Sequence, residues 1–90
     1  MEGWRAGQLE LMDFQYAVPG ASTALWIKLT DGKVAAMLLR YADDFLIAAS
    51  AKLLRTMEVE FGKRMSLKGG GFGEVRDFAG AQYQIGRAHV

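Results

Sequence analysis

Asp43 and Asp44 stand side by side between two apolar runs, Val34-Ala35-Ala36-Met37-Leu38-Leu39-Arg40 before them and Phe45-Leu46-Ile47-Ala48-Ala49 after them. Charges set beside a core are costly unless a cation or a metal meets them. Along a regular strand, neighbouring side chains point to opposite faces, so two consecutive aspartates share a site only at a turn. Asp favours turns, and apolar runs on both sides are what a hairpin through a core looks like. Two chemistries follow. The plain one is a solvated hairpin tip. The sharper one is a divalent-cation site, because carboxylate oxygens are the hard ligands that Mg²⁺ takes.

The elements that would position this pair can be read on both sides of it. Ala24-Leu25-Trp26-Ile27-Lys28-Leu29-Thr30 is strand-like, and Asp31-Gly32 is a strong two-residue hairpin signal. Val34–Tyr41 is the returning strand, and Phe45–Ala49 comes back after the acidic turn. The expected result is a three-stranded antiparallel meander. Ser50 suits an N-cap, and Leu53, Leu54, Met57 and Phe61 recur at helical spacing, predicting a helix from about Ala51 to Phe61 with Gly62 at its end.

The outer segments are less distinct. Trp4 to Phe14 has roughly helical apolar spacing, weakened by Gly7, and Trp4 is read as a packing residue. Val18-Pro19-Gly20-Ala21-Ser22 is a loop. Lys68-Gly69-Gly70-Gly71-Phe72-Gly73 lacks the Gly-Lys-Ser/Thr ending of a phosphate loop and is read as a flexible connection. Glu74 to Ile85 is read as one further strand segment, centred on Phe78 to Tyr83.

Composition excludes several classes. Without cysteine there is no disulfide framework and no thiolate zinc site, and the single histidine, His89, cannot build a histidine cluster and is read as inert. Arg40, Asp43 and Asp44 interrupt the best apolar run, so nothing approaches the roughly 20 residues of a membrane span. Met1-Glu2-Gly3-Trp4-Arg5 lacks the apolar core of a signal peptide, and the expectation is an intracellular protein, neither secreted nor membrane-bound. A net charge of +1 gives no electrostatic footprint of an autonomous nucleic-acid binder.

The string Tyr41-Ala42-Asp43-Asp44, with Phe45-Leu46-Ile47 after it, resembles the Tyr-x-Asp-Asp motif of reverse transcriptases. The flanks, from Phe14 through Trp26-Ile27-Lys28 and Thr30-Asp31-Gly32-Lys33, resemble the palm of copia-type LTR retrotransposon enzymes. So do the helix ending at Phe61, the Gly-rich connection and Phe78-Ala79-Gly80. The resemblance covers about Trp4 to Ile85, and only the acidic turn is highly specific. Ala42 stands where copia-type enzymes usually carry Val, and Arg40–Phe45 is closer to group II intron and retron polymerases, whose upstream Pro-Gln-Gly stretch is absent. Ala79 replaces the usual Leu, and Gly69–Gly71 replaces a more acidic connection.

The resemblance implies an α+β fold over residues 1–85, part of a polymerase palm. The antiparallel meander would carry the Tyr-Ala-Asp-Asp turn at a hairpin tip, packed against helices. It implies an RNA-directed DNA polymerase working by two-metal phosphoryl transfer with Mg²⁺ or Mn²⁺. Asp43 would be a direct metal ligand and Asp44 a second, weaker or indirect one, with Tyr41 and Ala42 bordering the primer terminus. Partners would be an RNA template, a DNA primer, a dNTP and the remainder of the polyprotein polymerase, in a cytoplasmic particle or the nucleus. The family's first catalytic aspartate and its fingers have no counterpart here, so the chain alone is expected to be inactive. A different class is a non-enzymatic α+β module, or a decayed remnant, in which Asp43-Asp44 is only a solvated turn. Ile85-Gly86-Arg87-Ala88-His89-Val90 resembles one reading frame of a sequencing adapter. Residues 86–90 are therefore expected to be a non-native tail with no part in the fold.

Overall fold

A computed structural model describes residues 2–18, 20, 24–73, 75–78 and 82–90. The element order is α1 (Glu2–Leu11), β1 (Phe14–Tyr16), β2 (Leu25–Thr30), β3 (Lys33–Tyr41), β4 (Asp44–Ala49), α2 (Ala51–Arg64), a 3₁₀ turn at Lys68–Gly70, β5 (Val75–Phe78) and β6 (Tyr83–His89). One antiparallel sheet takes the order β1-β2-β3-β4-β6-β5. The class is α+β, and β2-β3-β4 is the expected meander.

Its first turn follows from backbone sterics. Asp31 and Gly32 adopt φ of 53° and 76°, the two positive values that a tight hairpin of the I′ type requires. Leu38, Phe45, Ile47 and Ala49 then alternate with exposed residues and bury one face of the sheet, beside a fully buried Trp26.

Both helices cover that same face. Ser50 caps α2 by accepting a hydrogen bond from Leu53 N at 3.2 Å, and Leu54, Met57 and Phe61 form the buried stripe. The Phe61 ring meets Phe45 edge-on at 5.4 Å and Phe72 at 5.7 Å between centroids. The helix runs past Gly62 to Arg64. Lys63 and Arg64 lie in its last turn, where cations complement the carbonyl end of the helix dipole.

Helix α1 is shorter than the expected Trp4–Phe14 segment. Asp13 at φ 67° turns the chain, and Phe14 enters the edge strand β1 opposite Lys28. Lys28 Nζ donates to Met12 O at 2.7 Å and holds this corner. Trp4 is 47% exposed and contributes little packing among the described residues. Of the Val18–Ser22 loop, Pro19, Ala21 and Ser22 lie outside the described residues.

The C-terminal third departs most from expectation. The Gly-rich connection is tied down, because Phe72 N donates to Glu58 Oε2 at 2.7 Å and Gly73 N to Arg87 O at 2.8 Å. Residues 74–85 are not one strand. Phe78 and Tyr83 are cross-strand partners, so the chain reverses between β5 and β6; Glu74 and Ala79–Ala81 lie outside the described residues.

The expectation that residues 86–90 take no part in the fold is overturned. They continue β6, which pairs with β4 from Asp44↔His89 to Ala49↔Gln84. Ala88 is fully buried, and Val90 N donates to Asp43 O at 2.9 Å. The physical reason lies in Gly86-Arg87-Ala88-His89. Small residues recur at every second position, which a close-packed strand face under α2 accepts. A Cβ built at Gly86 would stand 3.1 Å from Phe72 Cδ2 and 3.2 Å from Leu54 Cδ2.

Candidate metal centre at the hairpin tip

The site grows out of the register between β3 and β4. Tyr41 and Asp44 are Cα partners, leaving Ala42 and Asp43 as a two-residue connection. Ala42 sits at φ 53°. Two-residue hairpins need a positive φ at their first central residue, a position where glycine is at ease and alanine is strained.

Strand alternation separates the two aspartates. Phe45 faces the helices, so Asp44 projects from the opposite, uncovered face, together with its partners Tyr41 and His89. Asp43 lies in the exposed turn itself. Tyr41 is 73% exposed and Ala42 is exposed, so all four motif residues are at one rim of the sheet.

Asp44 is the better buried carboxylate. Its side chain retains 17% exposure, and Arg87 Nε donates to Oδ2 at 3.2 Å, with Arg87 Nη2 donating to the same oxygen. The other oxygen, Oδ1, is buried without a hydrogen-bond partner, and His89 Nε2 stands 3.8 Å from it. Arg87 and His89 are thus neighbours of the motif that sequence reasoning set aside. The alternation Gly86-Arg87-Ala88-His89 was the signal that could have placed both on one strand face.

The donor chemistry suits a hard divalent cation in part. Two carboxylates lie near one turn, and one buried oxygen keeps its lone pairs uncommitted. Against that, a guanidinium already neutralises Oδ2, and no group of three or more His, Cys, Asp or Glu side chains placed to hold a metal occurs among the described residues. A separate open groove of about 720 Å³, lined by Glu10, Asp13, Tyr16, Trp26, Lys28 and Thr30 among others, includes none of residues 41–44. No helix among the described residues is long and apolar enough to cross a membrane. Compared with protein-family models, with curated proteins and with solved structures, the chain matches none.

Proposed function

We propose that this chain supplies the Asp-Asp hairpin of an RNA-directed DNA polymerase palm, of copia-type rather than group II intron or retron type. The observation that carries the reading is the position of Tyr41-Ala42-Asp43-Asp44 on a two-residue hairpin at the rim of a sheet whose far side is backed by helices. Asp43, exposed in the turn, would hold Mg²⁺ or Mn²⁺ directly, and Asp44 would be a second, weaker or indirect ligand. Tyr41 and Ala42 border the primer end. Such cations would activate the primer 3′-hydroxyl and stabilise the leaving pyrophosphate. A third carboxylate, the template, the primer and the dNTP come from outside this chain, which therefore does not polymerise alone.

Residues 86–90 are, on the same reading, of foreign origin. The Arg87 guanidinium on Asp44 is then a property of this chain and not of a parent enzyme.

Paramagnetic broadening by Mn²⁺ tests the assignment. Amide signals of residues 41–46 should broaden at millimolar Mn²⁺, and Asp43→Asn should remove the effect. Primer extension on an RNA template by the isolated chain should be nil. If no signal near Asp43 and Asp44 broadens, the metal role falls. The Arg87–Asp44 ion pair favours the alternative in that event, a non-enzymatic α+β module whose Asp44 is a structural counter-ion.

A further inference from the structure

The chain leaving α2 carries a hydroxyl that the fold does not use. Ser66 follows Lys63-Arg64-Met65 and precedes Leu67-Lys68. It is exposed, and no hydrogen bond joins its hydroxyl to a described residue. Its neighbours hold extended backbone, Met65 at φ −138° and ψ 147°, and Leu67 at φ −85° and ψ 128°. The other serines and threonines among the described residues lack this combination. Ser50 is engaged as the cap of α2, and Thr56 lies inside that helix, where its hydroxyl donates to Lys52 O at 3.2 Å. Thr30 ends β2, and the cation just before it, Lys28, is held on Met12 O.

We propose that Ser66 is a phosphorylation site for a serine/threonine protein kinase that reads cations upstream of its target. Such kinases choose substrates by charge pattern, setting acidic pockets against Lys or Arg a few residues before the hydroxyl. Lys63 and Arg64 supply these cations three and two positions before Ser66, and Leu67 follows it with an apolar side chain. The hydroxyl must reach the catalytic carboxylate and the γ-phosphate together, which exposed, extended chain allows and a packed helix does not. Lys63 and Arg64 lie in the last turn of α2, and helix ends are where local opening costs least. Opening that turn also lifts the buried Met65, so the reaction is slower than on an unstructured chain.

In the reaction, Ser66 Oγ attacks the γ-phosphorus of a nucleoside triphosphate held by the kinase. The bond from that phosphorus to the diphosphate breaks, the diphosphate leaves, and the hydroxyl proton passes to the kinase's carboxylate. The new group carries about −1.5 to −2 charge, which takes the chain from +1 to about −1. It stands just past the carbonyl end of α2, where negative charge is disfavoured, and Lys63, Arg64 and Lys68 are the counter-charges nearest in sequence. It therefore competes for Arg64, whose Nε is 3.3 Å from Glu60 Oε2. None of this rests on the polymerase reading, since it needs nothing from Asp43, Asp44 or a nucleic acid.

The test incubates the folded full chain with ATP, Mg²⁺ and a purified kinase of this class, such as the catalytic subunit of cyclic-AMP-dependent kinase. The intact mass should show one added phosphoryl group, and fragment masses should place it on Ser66. Ser66→Ala should abolish incorporation and keep the circular dichroism of the wild type, because the side chain it shortens is exposed. Lys63→Ala together with Arg64→Ala should slow incorporation by at least about 10-fold, since the charge pattern is then gone. Thr56→Ala should leave the rate unchanged, and a kinase that reads acidic residues should transfer nothing. A chain that takes up no phosphate overturns the proposal. So does labelling of Ser50 or Thr56 in place of Ser66, an unchanged rate in the Lys63, Arg64 double variant, or labelling that begins only above the melting temperature.

Discussion

Arg87 grips Asp44 through one oxygen only: its Nε and Nη2 both donate to Oδ2, while Oδ1 is buried beside His89 with no hydrogen bond. The two residues lie 43 positions apart and meet because β6 pairs with β4. Arg87 is 55% exposed, so solvent screens the pair and its contribution to stability is small, about 1 kcal/mol or less. Its effect on a competing cation is larger in proportion, because a guanidinium and a divalent ion draw on the same carboxylate. Arg87→Met should therefore change the unfolding midpoint little and tighten Mn²⁺ binding at Asp43 and Asp44 several-fold. Titrated line broadening of wild type and variant would measure this. Equal affinity in the two proteins would mean that the guanidinium does not compete.

The hairpin tip stores strain at Ala42. A non-glycine residue in the left-handed region costs roughly 1–2 kcal/mol, and Ala42 holds φ 53° with its side chain in open solvent. Ala42→Gly should raise stability by about 1 kcal/mol, although glycine elsewhere in a strand or helix lowers it. Ala42→Val should lower stability, because a β-branched side chain fits a positive φ poorly. Urea unfolding of the three proteins decides the order, which is expected to be Gly above Ala above Val.

Removing Gly86 to Val90 takes away the outer half of a central strand. The cross-strand pairs Asp44↔His89 to Ile47↔Gly86 are lost with it, as are the buried Ala88 and the bond from Val90 N to Asp43 O. At about 1 kcal/mol for each backbone hydrogen bond, the loss should exceed about 3 kcal/mol. A truncated chain with an unchanged melting temperature would contradict the pairing of β4 with β6.

Phe61 joins three parts of the core, since its ring touches Phe45 on the sheet and Phe72 on the Gly-rich connection. Phe61→Ala should cost about 3–5 kcal/mol. In a domain this small, that is a large share of a total of roughly 5–15 kcal/mol. Far-ultraviolet circular dichroism at 25 °C should show a mixture of folded and unfolded chains. Ser50→Ala, which removes only the cap on Leu53 N, should cost about 1 kcal/mol.

The central meander was legible in the sequence because each of its signals is local. Asp31-Gly32 dictates a turn through the φ values it tolerates, and Ala36, Leu38, Phe45, Ile47 and Ala49 in the apolar runs on either side of Asp43-Asp44 supply a buried strand face. Ser50 and the stripe from Leu54 to Phe61 were legible for the same reason. What was not legible depends on partners distant in sequence. Gly86 and Ala88 have too little side chain to announce a buried strand, and their role appears only when Leu54 and Phe72 are brought over them. Phe72 was likewise hidden among glycines, and Glu58, which fixes its N–H, looks like any solvated helix carboxylate. Of the candidate site, the turn was readable and its counter-ion was not, because alternation could place Arg87 opposite Asp44 only after β6 was known to pair with β4.

The strand order carries a consequence for the time course of folding. Strands β2, β3 and β4 are joined by two-residue turns, so their contacts are local and cost little loop entropy to form. Strand β5 pairs with β6 and with no other described strand, and β6 must first cross from its place in sequence to lie against β4. Docking of β6 is thus the high contact-order event, and β5 joins the rest of the sheet only through it. The meander should therefore form early and β6 should dock late, as the rate-limiting closure. In pulsed hydrogen exchange, amides of Ile27, Met37 and Leu38 should gain protection before those of Arg87 and Ala88.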